Sequence, residues 1–160
     1  MTLISKDFNV TGKHATMFVE LTEKKYFDYF WQIYVTAPLI GFIYKRKAEP
    51  DSSDFKKTIF LSQLTPRQEF IYFIYKLIML ADSKHEESPE ERIKKAFLNI
   101  DTELAKPDED LFLRYLLGGV EILHEKLIEK SSDDIENLCK LIEELTIADN
   151  SIADELGINM

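Results

Sequence analysis

From residue 65 onward, apolar positions recur at helical spacing and are broken by sharp punctuation. Thr65-Pro66-Arg67-Gln68 sets a hydroxyl, a proline and then a glutamine where a helix N-terminus uses them, and Ser88-Pro89-Glu90-Glu91 repeats the arrangement. These signals predict helices from Pro66 to about Ser83 and from Pro89 to about Leu104. The first is apolar on nearly every side, from Phe70, Ile71, Tyr72, Phe73 and Ile74 through Leu80. A rod of that kind is expected at the centre of a bundle. The second carries one apolar stripe, Ile93, Ala96, Phe97, Ile100 and Leu104, and is expected to lie on the bundle's surface. Lys106-Pro107 opens a further helix with Leu111, Phe112, Tyr115, Leu116, Val120, Leu123 and Leu127 inward, ending near Lys130. Ser131 and Ser132 with Asp133 and Asp134 then start a last helix, with Ile135, Leu138, Leu141, Ile142 and Leu145 inward.

The first third of the chain is less regular. A helix is expected after Thr22, carrying Tyr26, Phe27, Tyr29, Phe30, Trp31 and Tyr34 and running to about Tyr44, kinked or split by Pro38. Thr58-Ile59-Phe60-Leu61 suits a short strand or an extended segment. Phe8, Val10, Phe18 and Val19 around Thr11-Gly12-Lys13 suit a small hairpin, or an arm that orders on a partner. The expectation is an all-α protein: a compact bundle of about five helices around a buried central helix, with an irregular or small β N-terminal arm. The divisions are an arm or hairpin over 1–21, a helical domain over 22–147 and a tail over 148–160.

Composition narrows the class. With 160 residues, 45% of them hydrophobic, and only five glycines and five prolines, the chain is globular and sized for one domain. The single Cys139 forbids an internal disulfide, and no secretory leader pattern opens the chain, so the cytoplasm is expected. The apolar stretch from Tyr26 to Tyr44 is interrupted by Asp28, Gln32, Thr36 and Pro38, which excludes a membrane span. Charge is divided unevenly. Residues 1–67 hold ten Lys or Arg against seven Asp or Glu, a balance of +3, and residues 68–160 hold ten against twenty-two, a balance of −12. An acidic surface repels phosphate backbones, so any nucleic-acid contact would have to be local.

Candidate chemistry is sparse. Glu121-Ile122-Leu123-His124 sets a carboxylate and an imidazole on one helical face, as each half of a bundled di-iron site does, and Asp82-Ser83-Lys84-His85 is a partial second copy. Two more inward carboxylates would be required, and the acids fall mainly on outward positions, so no metal or other cofactor is expected and the histidines read as surface residues. Cys139, flanked by apolar neighbours, reads as a small buried residue. No strained serine elbow and no phosphate-cradling glycine loop exists, which argues against an enzyme. The candidate partner-binding residues are Tyr26, Tyr29, Phe30, Trp31 and Tyr34, as aromatic anchors, with the basic set Lys45, Arg46, Lys47, Lys56 and Lys57. Gly118 and Gly119 in mid-helix cost about 1 kcal/mol each, so close approach of another helix should offset them.

Ala37-Pro38-Leu39-Ile40-Gly41-Phe42 followed by Lys45-Arg46-Lys47, then the apolar run from Phe70 to Asp82, then Gly118-Gly119-Val120-Glu121-Ile122-Leu123 with Asn137-Leu138, form an order that resembles the small helical proteins accompanying DNA phosphorothioation (Dnd) and related phage-defence operons. The similarity spans about residues 22–145 and departs from the family at Pro38 and in the insertion 48–57. It implies shared roles for Gly41, Arg46, Gly118, Gly119 and Glu121. The expected function is therefore a non-enzymatic accessory or adaptor protein that binds a larger protein of the same operon. Its alternatives are a DNA-binding module using the basic 45–57 connection, and a metal-dependent helical enzyme. Self-association is left open.

Overall fold

The computed structural model describes residues 4–100, 102–130 and 133–155, the last eight of these by backbone alone. The chain is an all-helical bundle with one small two-stranded sheet. In order it runs β1 (Phe8–Thr11), α1 (Gly12–Glu23), α2 (Phe30–Ile43), β2 (Lys56–Ile59), α3 (Leu61–Leu64), a 3₁₀ turn (Thr65–Arg67), α4 (Gln68–Ala81), α5 (Pro89–Ile93), a π-helical turn (Lys94–Leu98), a second 3₁₀ turn (Glu103–Ala105), α6 (Lys106–Leu127) and α7 (Asp134–Glu155).

The helix buried from all sides is α6, not the segment starting at Pro66. Leu111, Phe112, Tyr115, Leu116, Leu117, Val120, Ile122, Leu123 and Leu127 are all in the core. Its partner is α2, and small residues set how closely the two approach. A β-carbon on Gly41 would stand 1.9 Å from the Tyr115 carbonyl oxygen, and one on Gly118 would stand 2.1 Å from that of Arg46. Two backbones in such contact fill the centre, so α4 covers them from one side only. It buries Ile71, Ile74, Tyr75 and Ile78, spaced three and four apart, while Phe70 and Phe73 on the other side are 53% and 58% exposed. α2 continues unbroken through Pro38.

The N-terminal region carries the expected small β element, but its partner strand is not local. β1 pairs antiparallel with the distant β2, Phe8 opposite Ile59 and Thr11 opposite Lys56, rather than folding back within residues 1–21. Residues 12–23 form α1, with Ala15, Phe18 and Leu21 in the core. The start of α1 is tied to the connection after α2. The Gly12 N–H donates to the Phe55 carbonyl at 2.7 Å, and the Lys13 N–H to the Asp51 carboxylate at 2.9 Å. Gly12 has φ +57°, and a side chain there would run into Asp51.

Helix starts also differ in detail. Thr65 does not cap α4: its hydroxyl donates back to Leu61 O at 2.9 Å, inside a helical run that already begins at Leu61. Ser88 does cap α5, accepting from the Glu91 N–H at 3.3 Å. The expected single helix is broken into α5, the π turn and the 3₁₀ turn, and its stripe with it: Ala96 and Ile100 are buried while Ile93, Phe97 and Leu104 are exposed. α7 lies against α6 and α2 through Asn137 and Leu141, and Glu144 is bonded by Tyr44 and Lys126. Ile135, Leu138 and Ile142 are exposed rather than inward, and Cys139 is exposed with them. The expected serine cap at 131–132 and the end of the tail, 156–160, lie outside the described residues; α7 carries the tail to Glu155.

Candidate functional site

One exposed feature is a ladder of aromatic and cationic side chains along α4. Arg67, Phe70, Phe73 and Lys76 are three residues apart and form one ridge of the helical surface. At one end the Arg67 guanidinium lies 3.6 Å from the centre of the Trp31 ring, which in turn stacks with Tyr29 at 6.3 Å. In the middle, the Phe70 and Phe73 rings stack at 6.4 Å and 16°. At the other end Lys76 sits 5.3 Å from the centre of Phe97. A bond from Arg67 Nη1 to the Gln63 carbonyl, 2.7 Å, fixes the guanidinium over its ring. The α2 end of the ridge is held by Gln32, whose side-chain oxygen accepts the N–H groups of Asp28 and Tyr29 at 2.8 and 2.9 Å.

The aromatic set of residues 26–34 is thus divided. Tyr29 is 58% exposed and Trp31 half-buried beneath Arg67. Phe30 packs edge-on against Phe18, and Tyr26 donates to the Leu127 carbonyl at 3.0 Å, joining the end of α1 to that of α6. Tyr34 is 1% exposed and meets Phe8 edge-on, so it is a core residue and not a partner anchor. Burial, with the nearby Glu109, pushes its phenol well above the usual range.

The basic set is divided as well. After α2 the chain turns by a Schellman motif, with the Arg46 N–H on Gly41 O at 2.9 Å and the Lys45 N–H on Phe42 O at 3.0 Å. Lys45 occupies its left-handed position at φ +53°, where glycine is usual. Arg46 is paired with Glu125, and Lys47 lies 4.9 Å from the centre of the Tyr115 ring. Lys45 and Lys47 meet Lys84, from the turn after α4, around a cavity of about 240 Å³ that Phe42, Asp82, Ser83 and Tyr115 also line. Lys56 and Lys57 are in β2 and do not line it; Lys57 sits over Phe55.

Each histidine is paired with an acid: His85 is exposed as expected, whereas His124 is half-buried and His14 lies in the interior. His14 is fully buried with Nε2 3.0 Å from Glu121, which Lys13 also reaches at 2.7 Å. Burial holds the His14 ring below its ordinary pKa. Burial works against ionisation of Glu121 too, yet Lys13 and His14 hold its carboxyl below the usual range. His124 is bonded to Glu20 and Glu129, and His85 lies 3.3 Å from the buried Asp108. Glu121 and His124 therefore serve different partners, and no group of side chains fit to hold a metal ion exists among the described residues.

Comparison with family models, curated proteins and solved structures gives no match to this chain. Nor is any helix among the described residues long and apolar enough to cross a membrane. The sequence pointed to Tyr29, Trp31, Lys45 and Lys47, and to Arg67 as a further member of the basic set; it marked Asp82 only as part of a partial metal half-site, and it assigned Phe70 and Phe73 to the core. The spacing of Arg67, Phe70, Phe73 and Lys76 was the readable signal for the ridge.

Proposed function

We propose that this chain is a non-enzymatic accessory protein, an adaptor that docks on a larger protein through the ridge of α4. The observation that carries this reading is the stacked pair Phe70 and Phe73, exposed at the middle of a ladder whose ends, Trp31–Arg67 and Lys76–Phe97, carry positive charge. Aromatic residues and arginine supply most of the energy in protein interfaces, and an exposed contiguous apolar patch marks an interaction site. The complementary partner presents apolar side chains to the two phenylalanines and carboxylates to Arg67 and Lys76. On the sequence resemblance, that partner belongs to a DNA-modification or phage-defence system, and the lone thiol agrees with a cytoplasmic setting. Direct contact with duplex DNA through residues 45–57 is less well supported, since Arg46 is neutralised by Glu125 and Lys57 lies on Phe55.

The test is reconstitution with the purified products of the neighbouring genes. One of them should bind the chain, and Phe70→Ser with Phe73→Ser should abolish binding while Lys56→Ala with Lys57→Ala leaves it intact. A chain that binds none of them, or binds equally well without the two rings, would sink the proposal.

A further inference from the structure

We infer that α7 of a second copy of this chain docks on the α4 ridge. Each of these two helices carries two apolar stripes, and only one of them is covered within the molecule. α4 turns Ile71, Ile74, Tyr75 and Ile78 to the core; its outer side leaves Phe70 and Phe73 exposed, continued by the half-buried Leu77 and Leu80. α7 turns Asn137 and Leu141 inward and leaves Ile135, Leu138 and Ile142 71%, 41% and 54% exposed, with the half-buried Leu145 next in line. Both outer stripes advance by three, four and three residues. That alternation is the one by which two helices seat their side chains as knobs into holes.

Charge selects the pairing. Arg67 and Lys76 flank Phe70 and Phe73, nine positions apart, and among the described residues neither is paired with a carboxylate: Arg67 lies on Trp31 and Lys76 on Phe97. Glu69 is the one acid of α4. Asp134 and Glu143 flank the stretch from Ile135 to Ile142, also nine positions apart, and Asp133 adds to the first of them. The other acids of this part of α7 have partners within the chain, Glu136 in Lys140 and Glu144 in Lys126. Nine positions of helix span about 14 Å, so cations and acids come into register when the two stripes meet. A second α7 in place of the ridge would set acid against acid, and a second α4 would bring one glutamate to two cations. The inference rests on the ridge being a docking surface, as in the adaptor reading, but not on the larger partner, which would have to displace α7 from it.

Two short stripes bury less than a standard interface, about 1,600 Å², so the association is weak and follows protein concentration. Sedimentation equilibrium of the full chain over a concentration series is the test. The weight-average mass should rise above the monomer's 18.7 kDa, and added salt should lower it. Phe70→Ser with Phe73→Ser should hold the chain at the monomer, and so should Ile135→Ser with Ile142→Ser. Mixed in equal amounts, the two variants should pair, since one supplies an intact α7 and the other an intact ridge. Lys76→Glu, which removes no residue of the stripe, should raise the concentration needed about threefold, the measure of a surface ion pair. Cys139 borders the α7 stripe, so a thiol reagent should modify it to the same extent but more slowly as the protein is concentrated. A parent chain that stays at the monomer mass overturns the inference. So does either double variant that still associates, which would mean that like faces pair, or a mixture of the two that stays monomeric. If the parent is monomeric and the ridge variant loses a partner among the neighbouring gene products, the inference falls and the adaptor reading stands; self-association with no such partner gives the reverse.

Discussion

Gly119 lies against the backbone of Ala37 so closely that a β-carbon on the glycine would stand 1.8 Å from the Ala37 carbonyl oxygen. The contact joins the two central helices at their crossing, and Gly41 reciprocates it from the other helix.

Gly119→Ala should therefore destabilise the protein even though alanine favours an isolated helix by about 1 kcal/mol. Overpacking against rigid backbone typically costs about 1–3 kcal/mol, and the sign of the net change decides the matter. A urea titration showing lower stability for the variant is expected; a gain would mean that the two helices can separate without loss.

Acidification should weaken the fold through the buried pair of α1 and α6. His14 titrates below its ordinary value in the folded chain, so the unfolded chain binds the proton first and stability falls as pH drops below about 6.5. Glu121 is held low as well, so its contribution is present above the ordinary glutamate range and is lost as pH falls through its folded value. Both act in the same direction. Denaturation midpoints measured from pH 7 to pH 4 should decline, and His14→Gln should flatten the upper part of that decline.

Removing the ridge rings should cost little stability. Phe70 and Phe73 are more than half exposed, and surface substitutions usually fall within about 0.5 kcal/mol. The doubly substituted chain, with serine at both positions, should melt close to the parent and bind less of a dye that reports exposed apolar surface. A large drop in melting temperature would instead show that the two rings belong to the core.

Cys139 should react in the native state. It is exposed on the outer side of α7, so a thiol reagent should titrate one equivalent without denaturant, at the same extent as in urea. Reaction only after unfolding would mean that another surface covers α7.

What could be read from the residues, and what could not, follows from the range of the forces involved. Ser88 caps its helix with groups three residues away, and Lys106-Pro107 opens α6 just as locally, so both are legible. α1 is not, because its first N–H groups are satisfied by Asp51 and Phe55, far along the chain. The place of α4 in the bundle was hidden by a different cause. Its buried stripe, Ile71, Ile74, Tyr75 and Ile78, has a helical phase set against Glu69, Tyr72 and Lys76, but only the glycine-mediated approach of α2 and α6 decides that it covers the centre rather than fills it. The candidate sites divide in the same way: Trp31 and Lys47 stand out by type, whereas Arg67 over Trp31 and Lys84 beside Lys47 are meetings of distant segments.

The pairing of β1 with β2 sets an order of events during synthesis. Thr11 must wait for Lys56, 45 positions later, before the strands can join. At about 5–20 residues per second, that delay is roughly 2–9 seconds, in which α1 has no acceptor for its first turn and Phe8 and Val10 remain uncovered. The nascent chain thus passes through an interval in which its leading segment is available to chaperones, and the interval closes when β2 emerges.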